Sequence, residues 1–273
     1  MQPTIPPILL GPGSHADEAD LATPIGVPMS APMQTYVPPV SIDSPGGVAE
    51  QEALRCLDAL RALLERPVPQ GLVLDFSSSN ARALVAQALG RGEVEVACAH
   101  RPEFSVRETR LTGVWWVVDE RGERLEVAPI PACVSRIAAA VAAERLREVD
   151  DWGAALGARA VCAELSAAHD GWCPGDVPRV INLSLSPRGP ADPPMLEQVL
   201  GRGPVAILSR GYGSCRIEST RLRHCWWVGH FNPEGRAVLE TLELAEVPTA
   251  ALATAEDIAD AAPRLDEILA ALR

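Results

Sequence analysis

Apolar side chains recur at helical spacing over residues 48–65, where Leu54, Leu57, Leu60 and Leu64 share a side and Pro67 ends the run. Leu72 to Phe76 reads as a strand. Ser79 or Asn80 is placed to cap a helix that runs to Leu89 and closes on Gly90. Short apolar runs through Val94, Val106, Trp116 and Val127 predict three or four β-strands, and an Ala-rich stretch predicts a long helix over roughly 132–148.

The pattern then repeats. Residues 85–117 align without a gap to 196–228, a shift of 111 positions, with 12 of 33 residues identical. Gly90-Arg91-Gly92 recurs as Gly201-Arg202-Gly203, Thr109-Arg110-Leu111 as Thr220-Arg221-Leu222, and Trp115-Trp116-Val117 as Trp226-Trp227-Val228. Leu72 and Leu74 match Leu183 and Leu185; Leu125, Glu126 and Pro131 match Leu242, Glu243 and Pro248 after a short insertion. The second copy ends in a helix over about 254–272, with Thr254 as its cap. Helices segregated from antiparallel strands predict an α+β fold of two repeated units. The expected organisation is an extended Pro-rich segment over 1–45, a first unit over 46–150, a connector over 151–178 and a second unit over 179–273. Apolar residues such as Ile5, Leu9, Met29 and Tyr36 lead us to expect that part of the Pro-rich segment docks on the body.

Adjacent residues in a strand point to opposite faces. Each Trp pair therefore demands either a sheet covered on both sides or one Trp left for a partner, and Trp116 and Trp227 are candidates for the second role. A further difference lies between the shared blocks. The second copy reads Ser209-Arg210-Gly211-Tyr212-Gly213-Ser214-Cys215-Arg216, whereas the first reads Cys98 to Ser105 without this pattern. Gly211 and Gly213 permit close backbone approach beside Tyr212, and Arg210 and Arg216 offer forked donors. A plain hairpin turn is the alternative reading. Ser209, Arg210, Gly211, Tyr212, Gly213, Cys215 and Arg216 thus form, with the two Trp residues, the candidate partner-binding set.

Composition narrows the class. Twenty-four basic and thirty-six acidic side chains give a net charge of −12, and all the basic residues are Arg, which disfavours a phosphate-binding face. No apolar run reaches the roughly 18–20 residues that span a bilayer. No Lys or Arg precedes Arg55, so the charged start of a secretory peptide is missing and a cytoplasmic location is expected. Seven scattered Cys residues, none in a CxxC pair, read as free thiols. His169 and Cys173 have ligand-like spacing and with Cys162 could recruit a metal, but strong zinc spacing is absent and a Gly/Pro-rich connector around Trp172 explains them equally well; His224 and His230 flank the second Trp pair. No adjacent base activates a Ser or Cys in the loop, so no catalytic residue, metal or cofactor is expected.

The stretches INLSL at 181–185 and LGRGPVAILSRGYGSCRIESTRLRHCWWVGHFN at 200–232 closely resemble the hydrogenase expression/formation proteins of the HupH type. LETLELAEVPTAALATAEDI at 239–258 and GPGS at 11–14 are similar to the same family, although Ser214 stands where members often carry Asn. The resemblance implies an accessory role in maturing a membrane-bound [NiFe] hydrogenase, as a cytoplasmic chaperone of the precursor of the iron–sulfur small subunit. Other maturation proteins are possible partners, and nucleic acid and membrane are not. An acidic chain suits a precursor with a basic twin-Arg signal. The alternative is an iron–sulfur or metal carrier using Cys215, Cys173 and Cys162.

Overall fold

The computed structural model describes residues 47–99, 104–186, 189–210 and 214–273. Expectations for residues 1–45, and for Gly211, Tyr212 and Gly213, lie outside the described residues. The described chain is α+β: one antiparallel sheet of ten strands with helices on both faces.

Helix α1 (Val48–Leu64) places Ala53, Leu57, Leu60 and Leu63 on its buried side, as the spacing predicts. Strand β1 (Gln70–Val73) follows, shorter than the expected run to Phe76. Helix α2 (Ser79–Leu89) is capped by Ser78, one residue before the expected position. The Ser78 side chain accepts hydrogen bonds from the Asn80 and Ala81 amides, and Gly90 ends the helix with φ +62°. Strands β2 (Val94–Cys98), β3 (Ser105–Glu108), β4 (Val114–Asp119) and β5 (Gly122–Val127) form a meander. Helix α3 (Ala132–Ala140) is half the expected length. Propensity favours helix beyond it, but the backbone of Ala143 instead donates to the Arg221 carbonyl and accepts from the Arg223 amide. Those tertiary bonds override a weak local preference.

The stretch 151–178, expected as a connector, holds helix α4 (Leu156–Asp170), whose Val161, Cys162 and Leu165 are core residues. The remaining elements are β6 (Arg179–Asn182), α5 (Asp192–Leu200), β7 (Arg202–Ser209), β8 (Ser214–Thr220), β9 (Cys225–Phe231), β10 (Ala237–Leu244), a 3-10 turn (Thr249–Ala251) and α6 (Ala255–Leu272) capped by Thr254.

The strand order is β1-β5-β4-β3-β2-β7-β8-β9-β10-β6. Antiparallel pairing of β2 with β7 joins the two meanders into one sheet, with Val96 opposite Ile207. The shared sequence blocks make matching contacts. Thr109 Oγ1 accepts from the Leu111 amide and Thr220 Oγ1 from the Leu222 amide; Arg110 and Arg221 donate their amides to the Leu89 and Leu200 carbonyls. One pairing differs, because Leu125 faces Leu72 whereas Leu242 faces Ile181, two residues before Leu183.

On the Trp115/Trp226 face a single apolar cluster runs across both meanders under α3 and the 3-10 turn. The opposite face carries two. One unites α1, α2 and α6 around Leu57, Leu60, Trp116 and Leu265, so the C-terminal helix packs on the first meander and not on its own. The other gathers α4 and α5 over Trp227 and Leu242. Two-sided cover explains how adjacent Trp residues are accommodated. Trp115 and Trp226 are 0% and 1% exposed, and Trp116 is 2% exposed.

Candidate functional site

Between the two helical clusters, the Trp116/Trp227 face leaves a strip along the central strands. Among the described residues, neither cluster takes a side chain from β2, β3, β7 or β8. Register brings charged side chains into line there: Glu95 lies opposite Arg107 on one side and Leu208 on the other, Leu208 opposite Arg216, and Glu218 opposite Trp227. Arg210 Nη1 donates to Glu95 at 2.9 Å, and Arg216 Nη2 to Glu218 at 2.8 Å. Arg202 bonds Glu197 and, in a very short contact, Glu218. Arg216 and Glu218 are 7% and 6% exposed, so this pair is buried and held by charge-assisted bonds.

A Trp stands at each side of the strip, and both indoles are tied alike. Trp116 Nε1 donates to Glu123 at 2.5 Å, and Trp227 Nε1 to Glu240 at 2.8 Å. Trp116 is enclosed by two guanidinium groups, those of Arg82 and Arg107, 5.4 and 5.3 Å from its ring centre. Burial, then repulsion from Arg91 and Arg82, lowers the pKa of Arg107. The bond from Arg82 leads the causes that hold the Glu123 carboxyl below its usual 4.5. Trp227 is only half-buried and borders a pocket of about 450 Å³, with Arg202, Arg216, Glu218 and Phe231 also on its wall.

The sequence-predicted set is therefore split by the sheet. Arg210, Arg216 and Trp227 belong to the strip. Cys215 faces the other way, into the cluster that holds Trp115 and Trp226, and Ser209, paired with it across the ladder, shares that side. Trp116 is on the strip side, yet its enclosure corrects the expectation that it is an exposed anchor. Glu95, Arg202, Glu218 and Glu240 were missed. The signal was present in Arg216 and Glu218, charges two apart within a strand and hence on one face.

The thiols are dispersed. Burial pushes the Cys215 thiol up to about 12, with help from the Glu243 carboxylate, and holds Cys162 at about 11. Cys173 is exposed. Among the described residues no group of three His, Cys, Asp or Glu side chains could hold a metal ion, and no helix is long and apolar enough to cross a membrane.

Residues 155–272 match the C-terminal conserved region of the HupH hydrogenase expression protein. The hydrogenase expression/formation protein HoxQ of Cupriavidus necator is 37% identical over 279 residues, covering 97% of this chain and 96% of that protein. HupH of Rhodobacter capsulatus is 35% identical over 98% of each chain, and the hydrogenase-1 operon protein HyaF of Escherichia coli is 32% identical over 76% of each. Among solved structures, the hydrogenase expression protein HupH from Thiobacillus denitrificans aligns with a TM-score of 0.36 and 26% identity over 41% of this chain and 91% of that one. With full-length relatives at this level of identity, the chain belongs to the family of HupH-type hydrogenase expression/formation proteins.

Proposed function

We propose that the protein is a non-catalytic accessory factor of hydrogenase maturation that acts in the cytoplasm and binds the immature iron–sulfur small subunit. We read its two meanders, each with a leading helix, as copies of one unit, of which the second is specialised for docking. The observation that carries this reading is the half-buried Trp227 beside Arg216, on a charged strip whose counterpart, Trp116, is closed off by Arg82 and Arg107. Aromatic and Arg side chains dominate the energetics of protein docking, which favours this strip as the contact face. The thiols that burial pushes to about 11–12 are poor nucleophiles at neutral pH, which suits a binding role. Tyr212, between Arg210 and Ser214 in the sequence, is included in the proposed contact set.

The test is co-purification of the small-subunit precursor with the wild type and with Trp227→Ala, Arg210→Ala and Tyr212→Ala, each also checked by thermal unfolding. Loss of a real anchor costs about 2 kcal/mol, roughly thirtyfold in affinity. If all three variants fold and retain the precursor at wild-type level, the contact face is elsewhere.

A further inference from the structure

The charged strip is balanced at one meander and not at the other. In the second, Glu218 is buried and met by both Arg216 and Arg202. The shift of 111 residues that superimposes the two Trp pairs in sequence places Arg107 at the position of Glu218, so the sign of the charge is reversed in the first. Arg107 has no such counter-ion. Its half-buried guanidinium lies over the Trp116 ring, 5.3 Å from the centre, and among the described residues none of its guanidinium N–H groups has an acceptor. The two nearby carboxylates are committed elsewhere: Glu95 to Arg210 and Arg91, Glu123 to Arg82 and the Trp116 indole. Arg91 and Arg82 repel Arg107 more than Glu123 and Glu95 attract it. Arg82, Arg91, Arg107 and Arg210 thus stand against Glu95 and Glu123, four cations to two anions in a chain of net charge −12. Stacking occupies the face of a guanidinium but leaves the N–H groups around its edge unpaired. There is room beside that edge. Strand alternation puts Ala97, Ser105 and Ala206 next on this face, all small, with Ala97 and Ser105 half-buried.

We propose that Arg107 is the receptor for a carboxylate side chain, Asp or Glu, of a partner polypeptide that lies along the strip. The carboxylate meets the edge of the Arg107 guanidinium in a forked pair, Trp116 holds the guanidinium plane from behind, and the short stem of the acid rests over Ala97 and Ser105. The strip between the two helical clusters suits an extended segment. Glu95 and Glu218, set along the same strip, repel a polyanion such as nucleic acid, which favours a single carboxylate over a chain of phosphates. This deepens the proposed docking role and rests on it for the identity of the partner, but not for the chemistry at Arg107.

The experiment uses the full chain labelled with ¹⁵N at its arginines and follows the Arg107 Nε–H signal, assigned with Arg107→Gln. The probes are capped glycine pentapeptides with a central glutamate or glutamine, and the exposed Arg66 is the reference within the same spectra. Expected is a saturable Arg107 shift with the glutamate peptide, at least about tenfold tighter than with the glutamine peptide and at least about threefold tighter than at Arg66. Ser105→Glu supplies a carboxylate two residues from Arg107 on the same face, and abolishes the response without lowering the unfolding midpoint. If Ser105→Glu does not fold, Ala97→Glu, opposite it on β2, is read in the same way. No Arg107 shift up to about 50 mM glutamate peptide, near the weakest midpoint that one charge-assisted bond supports, overturns the proposal. So does equal binding of the glutamine peptide, equal binding at Arg66, or undiminished binding by a folded variant that carries the added carboxylate. Precursor co-purification with the wild type is scored in parallel. Retained precursor without peptide binding removes the Arg107 site alone, whereas peptide binding without retained precursor removes the proposed partner alone.

Discussion

Gly203 is the position at which a single methyl group is expected to do most harm. A Cβ there would come within 2.4 Å of Ser219 Oγ, 2.6 Å of the Thr220 carbonyl oxygen and 2.9 Å of the Ser219 carbonyl oxygen. The neighbouring atoms are mostly backbone of β8, so relief requires the two strands to part beside the register shift between Arg202 and Ala206. Parting also strains the Ser219 hydroxyl, which accepts from the Val205 amide at 3.0 Å and donates to the Val205 carbonyl at 3.2 Å. Overpacking costs about 1–3 kcal/mol, and the two neutral hydrogen bonds about 1 kcal/mol each. Gly203→Ala is therefore expected to lose about 3–5 kcal/mol, a drop of roughly 5–9 °C in Tm at this chain length. Gly92→Ala, whose Cβ would meet the Thr109 carbonyl oxygen, should behave alike. Gly171→Ala, with no atom within 4 Å, is the control. Calorimetric or circular-dichroism melts decide the matter. If Gly203→Ala melts within about 1 °C of the wild type, the close approach of β7 and β8 does not constrain the fold as argued.

Two further outcomes follow from the same contacts. With a thiol-specific chromogenic reagent at pH 8, Cys173, the one exposed thiol of the seven, should react at once, the half-buried Cys56 more slowly, and the five buried ones only after denaturation or far more slowly; several fast thiols in the native protein would contradict the burial described. The lowered pKa of Glu123, due first to Arg82, gives stability that is present above 4.5 and lost as pH falls through the folded-state value. The stability gap between wild type and Glu123→Gln should accordingly shrink on acidification from pH 6 towards 3, and a gap independent of pH in urea titrations would show that the pair contributes nothing.

The recurring Gly-Arg-Gly, Thr-Arg-Leu and Trp-Trp-Val blocks made the α+β class, most of the helices and strands, and the family legible from sequence. Their geometry is local: a helix end at Gly90 or Gly201, a hydroxyl-closed turn at Thr109 or Thr220, and strand alternation at each Trp pair. Periodicity likewise located the helices beginning at Val48 and Ala255, because an amphipathic face repeats every three or four residues. What required the tertiary structure was every relation between distant segments. The Ala-rich run stops at Ala140 because the backbone of Ala143 is claimed by Arg221 and Arg223, about eighty residues on, a bond no local propensity encodes. Likewise, the sheets join through β2 and β7, and the C-terminal helix lies on the first meander, since apolar faces pair by shape and not by order. The candidate loop looked like one surface in sequence, but alternation turned Cys215 and Arg216 to opposite sides of the sheet. Whether a Trp is reachable depended on residues far along the chain or on other strands: Arg82 and Arg107 lie over Trp116, whereas Trp227 borders a pocket. A side chain's exposure is set by what packs over it, and that is decided only when the chain has folded.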